Sequence, residues 1–332
     1  MWSGLQFQRV IDGGVVKKIA VFVFSLIVLT GCAKKVKTAD QLFNEGMMSV
    51  KEKDFGDAVV KLKEALSKDL PPSKKEIASF ALAESYFNKG DYVEAAVQYR
   101  EFLTLYPASK YAKEALYKLG ICYMKMIKGP QWDQQFTYKA IDVFTQFLAK
   151  YPEDKLSDKV SQLLNMCRKV LAEHEIYIGQ TYDILKKFTA SANRYREVMS
   201  VYSDVEPEDK LLYLLGRARF YTYIQANEEI KNLQEQLEVE KEKLAKAETE
   251  DEKKVSENRI SLILSDIEKW RKEEEFGREE GRKLLGELIY RYPDSPYARK
   301  AKEILKGKVI LDKVKIENPI KKSFWKRFFE TI

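Results

Sequence analysis

One histidine, His174, and three cysteines, Cys32, Cys122 and Cys167, are the chain's entire supply of its commonest soft metal ligands and of its strongest side-chain nucleophile. A single histidine excludes a paired-histidine metal site and makes any Ser-His relay depend on that one ring. There is no glycine-rich phosphate loop and no nucleophile elbow, and the many carboxylates lie on regular helical faces where solvation accounts for them. The chain therefore reads as a non-enzyme with no cofactor. Proline and glycine are also scarce, at 9 and 15 of 332 residues, and no segment sustains the two-residue alternation of a half-buried strand. Lys- and Glu-rich periodic segments fill the space instead, which predicts an all-α chain. Without residues 1–31 there are 55 basic and 50 acidic residues, a net charge of +5 spread along the chain. A nucleic-acid binder would concentrate its basic residues on one face, so none is expected as a partner. Cys122 and Cys167 fall within helical patterns and read as buried, reduced packing residues.

The one long apolar run, Ile19 to Leu29, has eleven residues, which as a helix covers about 17 Å of the roughly 30 Å bilayer core. It is too short to span. Lys17 and Lys18 precede it and small residues follow, the layout of a secretory signal. Its end, Leu29-Thr30-Gly31-Cys32, resembles the lipobox of bacterial lipoproteins. That resemblance implies removal of residues 1–31 and a Cys32 bearing diacylglycerol and an N-acyl (palmitate-type) chain, followed by a lipidated linker over 32–38. The other reading of Cys32 is an ordinary small residue near a spacer. Ala33 stands where an Asp retains enteric lipoproteins in the inner membrane, so the resemblance points to the outer membrane. Residues 1–16 are assigned no function.

Internal repetition organises the rest. The stretches 81–107 (ALAESYFNKGDYVEAAVQYREFLTLYP) and 178–204 (IGQTYDILKKFTASANRYREVMSVYSD) are similar: set at a spacing of 96 residues, Tyr86 matches Tyr182 and Tyr99-Arg100-Glu101 matches Tyr195-Arg196-Glu197. A helix-turn-helix unit of about 34 residues with a small residue on each helix is the tetratricopeptide pattern. Five units follow from it, the first four starting near residues 39, 76, 113 and 172, so a solenoid of about five helix pairs is expected. In the third unit the second-helix landmarks arrive eight residues late, around KGPQWDQQFTY (128–138). In the fifth, Gly216 and Gly281 are 65 residues apart where the second unit needs 12, a 53-residue insertion.

Arg217 to Phe276 contains neither Gly nor Pro, and Ile230, Leu233, Leu237, Leu244 and Ile260, Ile263, Ile267, Trp270 recur at three-to-four spacing. The insertion, 226–277, reads as a long antiparallel coiled-coil hairpin, about 40 Å at helical rise, with its turn at AETEDEKK. It either projects or folds back against the repeats. The expected organisation is thus repeats over 39–225, the hairpin over 226–277, the end of the fifth repeat with a capping helix over 278–306, and a basic, aromatic tail over 307–332. In that tail Lys321, Lys322, Lys326 and Arg327 interleave with Phe324, Trp325, Phe328 and Phe329. Such a tail suits an anionic membrane surface, a partner, or the open end of the last repeat.

On the first helix of each unit, the positions not needed between paired helices are Phe43, Met47 and Val50, then Phe80, Glu84 and Phe87, then Tyr117, Ile121 and Met124. Eight of these nine are apolar, whereas Ile176, Gln180 and Asp183 of the fourth unit are mixed. The stripe predicts a groove for an extended or helical client peptide, formed by Phe43, Met47, Phe80, Phe87, Tyr117, Ile121 and Met124. The alternative is that residues 33–38 or neighbouring helices cover it.

The combination of lipobox, five units and an enlarged third turn resembles the BamD family of outer-membrane β-barrel assembly lipoproteins, over about 25–225 and 278–305. The stretches 132–160 and 168–184 carry it, with Asp133-Gln134, Leu171-Ala172 to Tyr177, and Asn193-Arg194 at family-like positions. The resemblance implies a lipid-anchored adaptor on the periplasmic face of a Gram-negative outer membrane. It implies two partners, a BamA-like barrel protein and unfolded outer-membrane proteins whose C-terminal signal meets the N-terminal repeats. Asp133, Gln134, Asn193 and Arg194 become expected partner contacts. The hairpin and the tail are departures from the family pattern. A pilotin-like or cell-envelope scaffold lipoprotein with the same repeats is the alternative function.

Overall fold

A computed structural model describes residues 36–310; the expected signal over 1–31, Cys32 and residues 311–332 of the tail lie outside them. The chain divides into two compact units, Met1–Leu82 and Ala83–Ile332. All regular structure among the described residues is helical, so the fold is all-α.

The first unit holds α1 (Ala39–Lys51), α2 (Phe55–Leu66) and the start of α3 (Pro72–Lys89). Helix α1 begins at a capping box: Gln41 N–H donates to the Thr38 hydroxyl at 3.2 Å and Thr38 N–H donates to the Gln41 side chain at 3.0 Å. Gly46 lies against Leu62 of α2 so closely that a Cβ there would stand 2.8 Å from the leucine side chain.

The second unit continues with α4 (Tyr92–Leu105), α5 (Ala112–Met126), α6 (Gln135–Lys150), α7 (Ser157–Ile184), α8 (Phe188–Val201), α9 (Glu208–Phe220), α10 (Thr222–Lys246), α11 (Glu250–Arg291) and α12 (Pro296–Leu305). The close glycine contact recurs. A Cβ on Gly120 would meet Phe144 at 2.3 Å, and one on Gly179 would meet Tyr195 at 2.5 Å. Gly216 faces Leu285, 3.1 Å from the same hypothetical atom. The sequence steps are 16 for Gly46–Leu62 and Gly179–Tyr195, 24 for Gly120–Phe144 and 69 for Gly216–Leu285. The excesses over 16 are the eight and 53 residues read from the sequence, so both additions are made between helices that still pair at the same contact. Second helices stop in a common way: Tyr106, Tyr151 and Tyr292 all leave the helix at φ near −130° and ψ near 57°. Each precedes a proline, whose ring denies the preceding residue the helical region.

In the fifth repeat α9 breaks at Tyr221, and α10 and α11 form the helical hairpin before α11 returns, unbroken, to pair with α9. The turn is shorter than AETEDEKK. Thr249 caps α11 and forms a capping box with Glu252, so Asp251 to Lys254 are already helical. The outgoing helix of the hairpin starts at Thr222, against which Gly277 lets α11 press closely. Beyond its root α10 packs against α11, and Leu237 and Ile267 are the buried apolar residues of the seam. The root is fastened by charge: Arg219, nearly buried, binds Glu273 and Glu280 at 2.5 Å each, and Arg196 of α8 reaches Glu280 at 3.0 Å. Thr189 N–H donates to Gln225 at 3.1 Å, and Lys187 pairs with Glu229 at 2.8 Å. No helix among the described residues is long and apolar enough to cross a membrane.

Candidate functional site

The seven residues read as a client groove fall in both units: Phe43, Met47 and Phe80 in the first, Phe87, Tyr117, Ile121 and Met124 in the second. In the first unit Phe43 is buried on α1 with the Lys74 ammonium 5.7 Å from its ring, while Met47 and Phe80 are half-buried. In the second unit Ile121 and Met124 are fully buried and present no surface to a peptide. Their place in the stripe is corrected: the step of α5 that carries Gly120 against Phe144 turns them into the interior. Tyr117 is almost as buried, with its hydroxyl lacking a hydrogen-bond partner among the described residues. Burial pushes that phenol up to about 12.

Around Phe87 the geometry is open. Its ring is half-buried, edge-on to Tyr92 at 5.7 Å and Tyr99 at 6.3 Å, with the Lys118 ammonium 5.2 Å from its centroid. Lys118 also pairs with Glu84, which accepts from the Tyr99 hydroxyl at 2.5 Å. Lys125 stands 5.7 Å from the Tyr92 ring and Lys159 5.8 Å from Tyr117. Burial lowers the pKa of both lysines. Two half-buried aromatic rings, Phe87 and Tyr92, each with an ammonium over or beside it, offer flat apolar surface and positive charge together, while Tyr117 is buried. That is the chemistry for an aromatic side chain next to a carboxylate.

The expected partner contacts fall on two elements, the enlarged third turn and α8. Gln134 is buried and organises the turn, donating to Gly129 O at 2.9 Å and Trp132 O at 2.6 Å while accepting from Thr137 at 2.8 Å. It is thus an internal brace with no surface to give a partner. Asp133 is exposed and accepts from Gln135 N–H at 2.9 Å. The turn rests on α7 through Pro130 O and the His174 ring, which absorbs the single histidine in a structural contact. On α8, Arg194 pairs with Glu175 of α7 at 2.9 Å and with Glu197 at 3.6 Å, and Asn193 is exposed and accepts from Arg196. Sequence reasoning missed two residues beside Asp133: Trp132 and Tyr138 are more than half exposed. Their signal was an aromatic pair bracketing Asp133-Gln134 within the quoted stretch.

Asp183, read as a polar interruption of the stripe, is buried. It accepts from Ser191 at 2.5 Å and Tyr195 at 2.7 Å and pairs with the buried Arg217, tying α7, α8 and α9 together. Cys122 and Cys167 are free, buried thiols.

The sequence profile of the YfiO family, described as outer membrane lipoprotein, matches residues 35–237. A putative outer membrane protein assembly factor BamD of Aquifex aeolicus is 29% identical over 301 residues, covering 89% of this chain and 98% of that protein. The outer membrane protein assembly factor BamD of Caulobacter vibrioides is 24% identical over 213 residues, covering 61% and 69%. Among solved structures, a tetratricopeptide-repeat protein of Bacteroides fragilis is similar at a TM-score of 0.36 and 15% identity, covering 82% of this chain and 100% of that one. The TPR2AB domain of yeast Sti1, solved as a complex with pHSP90, gives 0.34 and 15%, covering 80% and 98%. With its profile matched across most of the chain and its named relatives outer membrane protein assembly factors, this chain belongs to the YfiO, or BamD, family of outer membrane lipoproteins.

Proposed function

We propose that this chain is a non-catalytic adaptor in the assembly of outer-membrane proteins, lipid-anchored through Cys32 on the periplasmic face of the outer membrane. It binds a BamA-like barrel protein and the C-terminal segments of unfolded outer-membrane proteins. The family match to assembly factors of that name carries the assembly role. The client reading rests on Phe87, a half-buried ring flanked by Tyr92 and the Lys118 ammonium, on a family-matched segment. A peptide ending in an aromatic residue supplies the ring to stack and the carboxylate to pair. The barrel-protein contact is assigned to the surface of Asp133, Asn193 and Arg194, to which the exposed Trp132 and Tyr138 add apolar area. Aromatic residues and arginine are the types enriched at interface centres.

Binding of a peptide with a C-terminal aromatic β-signal to the soluble form, Cys32→Ser, tests the client site. Phe87→Asp is expected to weaken binding at least about tenfold with its helical content by circular dichroism retained. Equal binding by both proteins removes Phe87 from the site.

A further inference from the structure

The last described residue, Ile310, is held at the foot of the hairpin. Tyr221, between α9 and α10, donates its hydroxyl to Lys308 O at 3.1 Å and accepts from Ile310 N–H at 2.7 Å. Its ring packs on Phe188 of α8 at 5.6 Å, on the side where Thr189 binds Gln225. Counting along α10 from Tyr221, Gln225, Asn232, Gln236, Val239 and Lys243 follow at offsets of 4, 11, 15, 18 and 22, which lie within about 60° of one line on a helix. One stripe therefore runs from the point where the chain leaves the described structure out along the hairpin.

That stripe forms one wall of a shallow groove. Asn232, Gln236, Val239 and Lys243 face Leu262 and Ile263 across it. Val239 is 54% exposed and Leu262 66%. Two helices alone cannot cover both sides of their own seam, and on this side apolar surface is left in water.

Three observations identify what fits it. The first is position, since residues 311–332 begin at the foot of the stripe. The second is reach. Those 22 residues span about 33 Å if helical and about 70 Å if extended, against about 33 Å of helix from Tyr221 to Lys243. The third is chemistry. Residues 226–277 carry sixteen acidic and ten basic residues, a net charge of −6, whereas 311–332 carry six basic and three acidic, a net charge of +3. The basic segment also holds Phe324, Trp325, Phe328 and Phe329, aromatic residues spaced by one and four, the pattern that lays one apolar face into a helical groove.

We infer that the C-terminal segment 311–332 docks along the hairpin of its own chain, its aromatic residues covering Val239, Leu262 and Ile263. The tail is then a strap that adds a third layer to a two-helix projection. This docking is independent of which partner the repeats bind.

Amide exchange on the full soluble chain (Cys32→Ser) tests it, compared with the same chain carrying Phe324→Asp, Trp325→Asp, Phe328→Asp and Phe329→Asp. Docking predicts exchange about tenfold or more faster over 232–243 and 259–266 in the variant, with α7 and α8 unchanged. Identical exchange over those segments overturns the proposal. Disulfide trapping gives a second readout on full chains bearing Phe328→Cys, with Cys122 and Cys167 replaced by Ala. Oxidation is expected to close a bridge within one chain to Val239→Cys and not to Lys241→Cys, which points away. Equal bridging to both positions, or bridges only between chains, overturns it, the latter assigning the groove to a second copy.

Discussion

Tyr195 on α8 donates its hydroxyl to Asp183 on α7 at 2.7 Å, and the same carboxylate pairs with Arg217 on α9. In the second repeat the corresponding Tyr99 donates to Glu84, one helical turn before the position that matches Asp183, at 2.5 Å, and Lys118 of the following helix completes a similar trio. A second-helix tyrosine, a first-helix acid and a cation from the next repeat thus link successive helices twice in the second unit. The later trio is the more buried.

Burial decides what its loss does. Arg217→Met leaves Asp183 as an uncompensated buried charge, and breaking such a pair costs about 3–5 kcal/mol. Denaturant unfolding is expected to show that loss, and the double variant Asp183→Leu with Arg217→Met to recover a good part of it. Lys118→Met, at a partly exposed pair, is expected to cost about 1 kcal/mol or less.

Glycines separate by their surroundings. Gly179→Ala drives a methyl into the Tyr195 ring at 2.5 Å and is expected to destabilise by about 1–3 kcal/mol. Gly286→Ala, in the same kind of helical backbone on α11 with nothing within 4 Å, is expected to stabilise by about 0.5–1 kcal/mol. Thermal unfolding of the two variants should move in opposite directions.

Burial holds the Cys122 and Cys167 thiols up at about 12, against 9.0 for a free thiol. A raised folded pKa means the stabilising effect is complete below pH 9 and is lost as pH rises toward 12. The fall in unfolding midpoint across that window should be shallower in a Cys122→Ala, Cys167→Ala chain. At neutral pH neither thiol should react with iodoacetamide until denaturant is added.

Gln134 braces the enlarged turn from inside. Gln134→Ala removes bonds to Gly129, Trp132 and Thr137 and is expected to cost about 1–3 kcal/mol. It should speed amide exchange over 127–134 while leaving α8 unchanged, whereas Asp133→Ala should leave both unaffected.

Much of this was legible because tetratricopeptide packing is written in residue size. Gly46, Gly120, Gly179 and Gly216 mark where helices touch, and their distances to Leu62, Phe144, Tyr195 and Leu285 measure each addition. Proline after Tyr106, Tyr151 and Tyr292 marks where helices end. What escaped is what side chains do in three dimensions. Ile121 and Met124 have the right spacing for an open stripe, yet α5 is buried on more than one face, and periodicity along one helix cannot show that. Asp183 and Gln134 look like surface residues by type, and their partners lie on other helices or in the backbone of a turn. Thr249 and Glu252 carry the spacing of a capping box, but within a charged run that also reads as a turn.

Membership of the BamD family makes one binding partner more informative than any other. Tagged full-length protein, with residues 1–31 and Cys32 retained, should be recovered from gently solubilised envelopes of its host and the bound proteins identified by mass spectrometry. A large β-barrel protein with periplasmic repeat domains is expected among them, at a level reduced by Arg194→Glu combined with Trp132→Ala. Recovery of a secretin ring, or of this protein alone, would contradict the adaptor role.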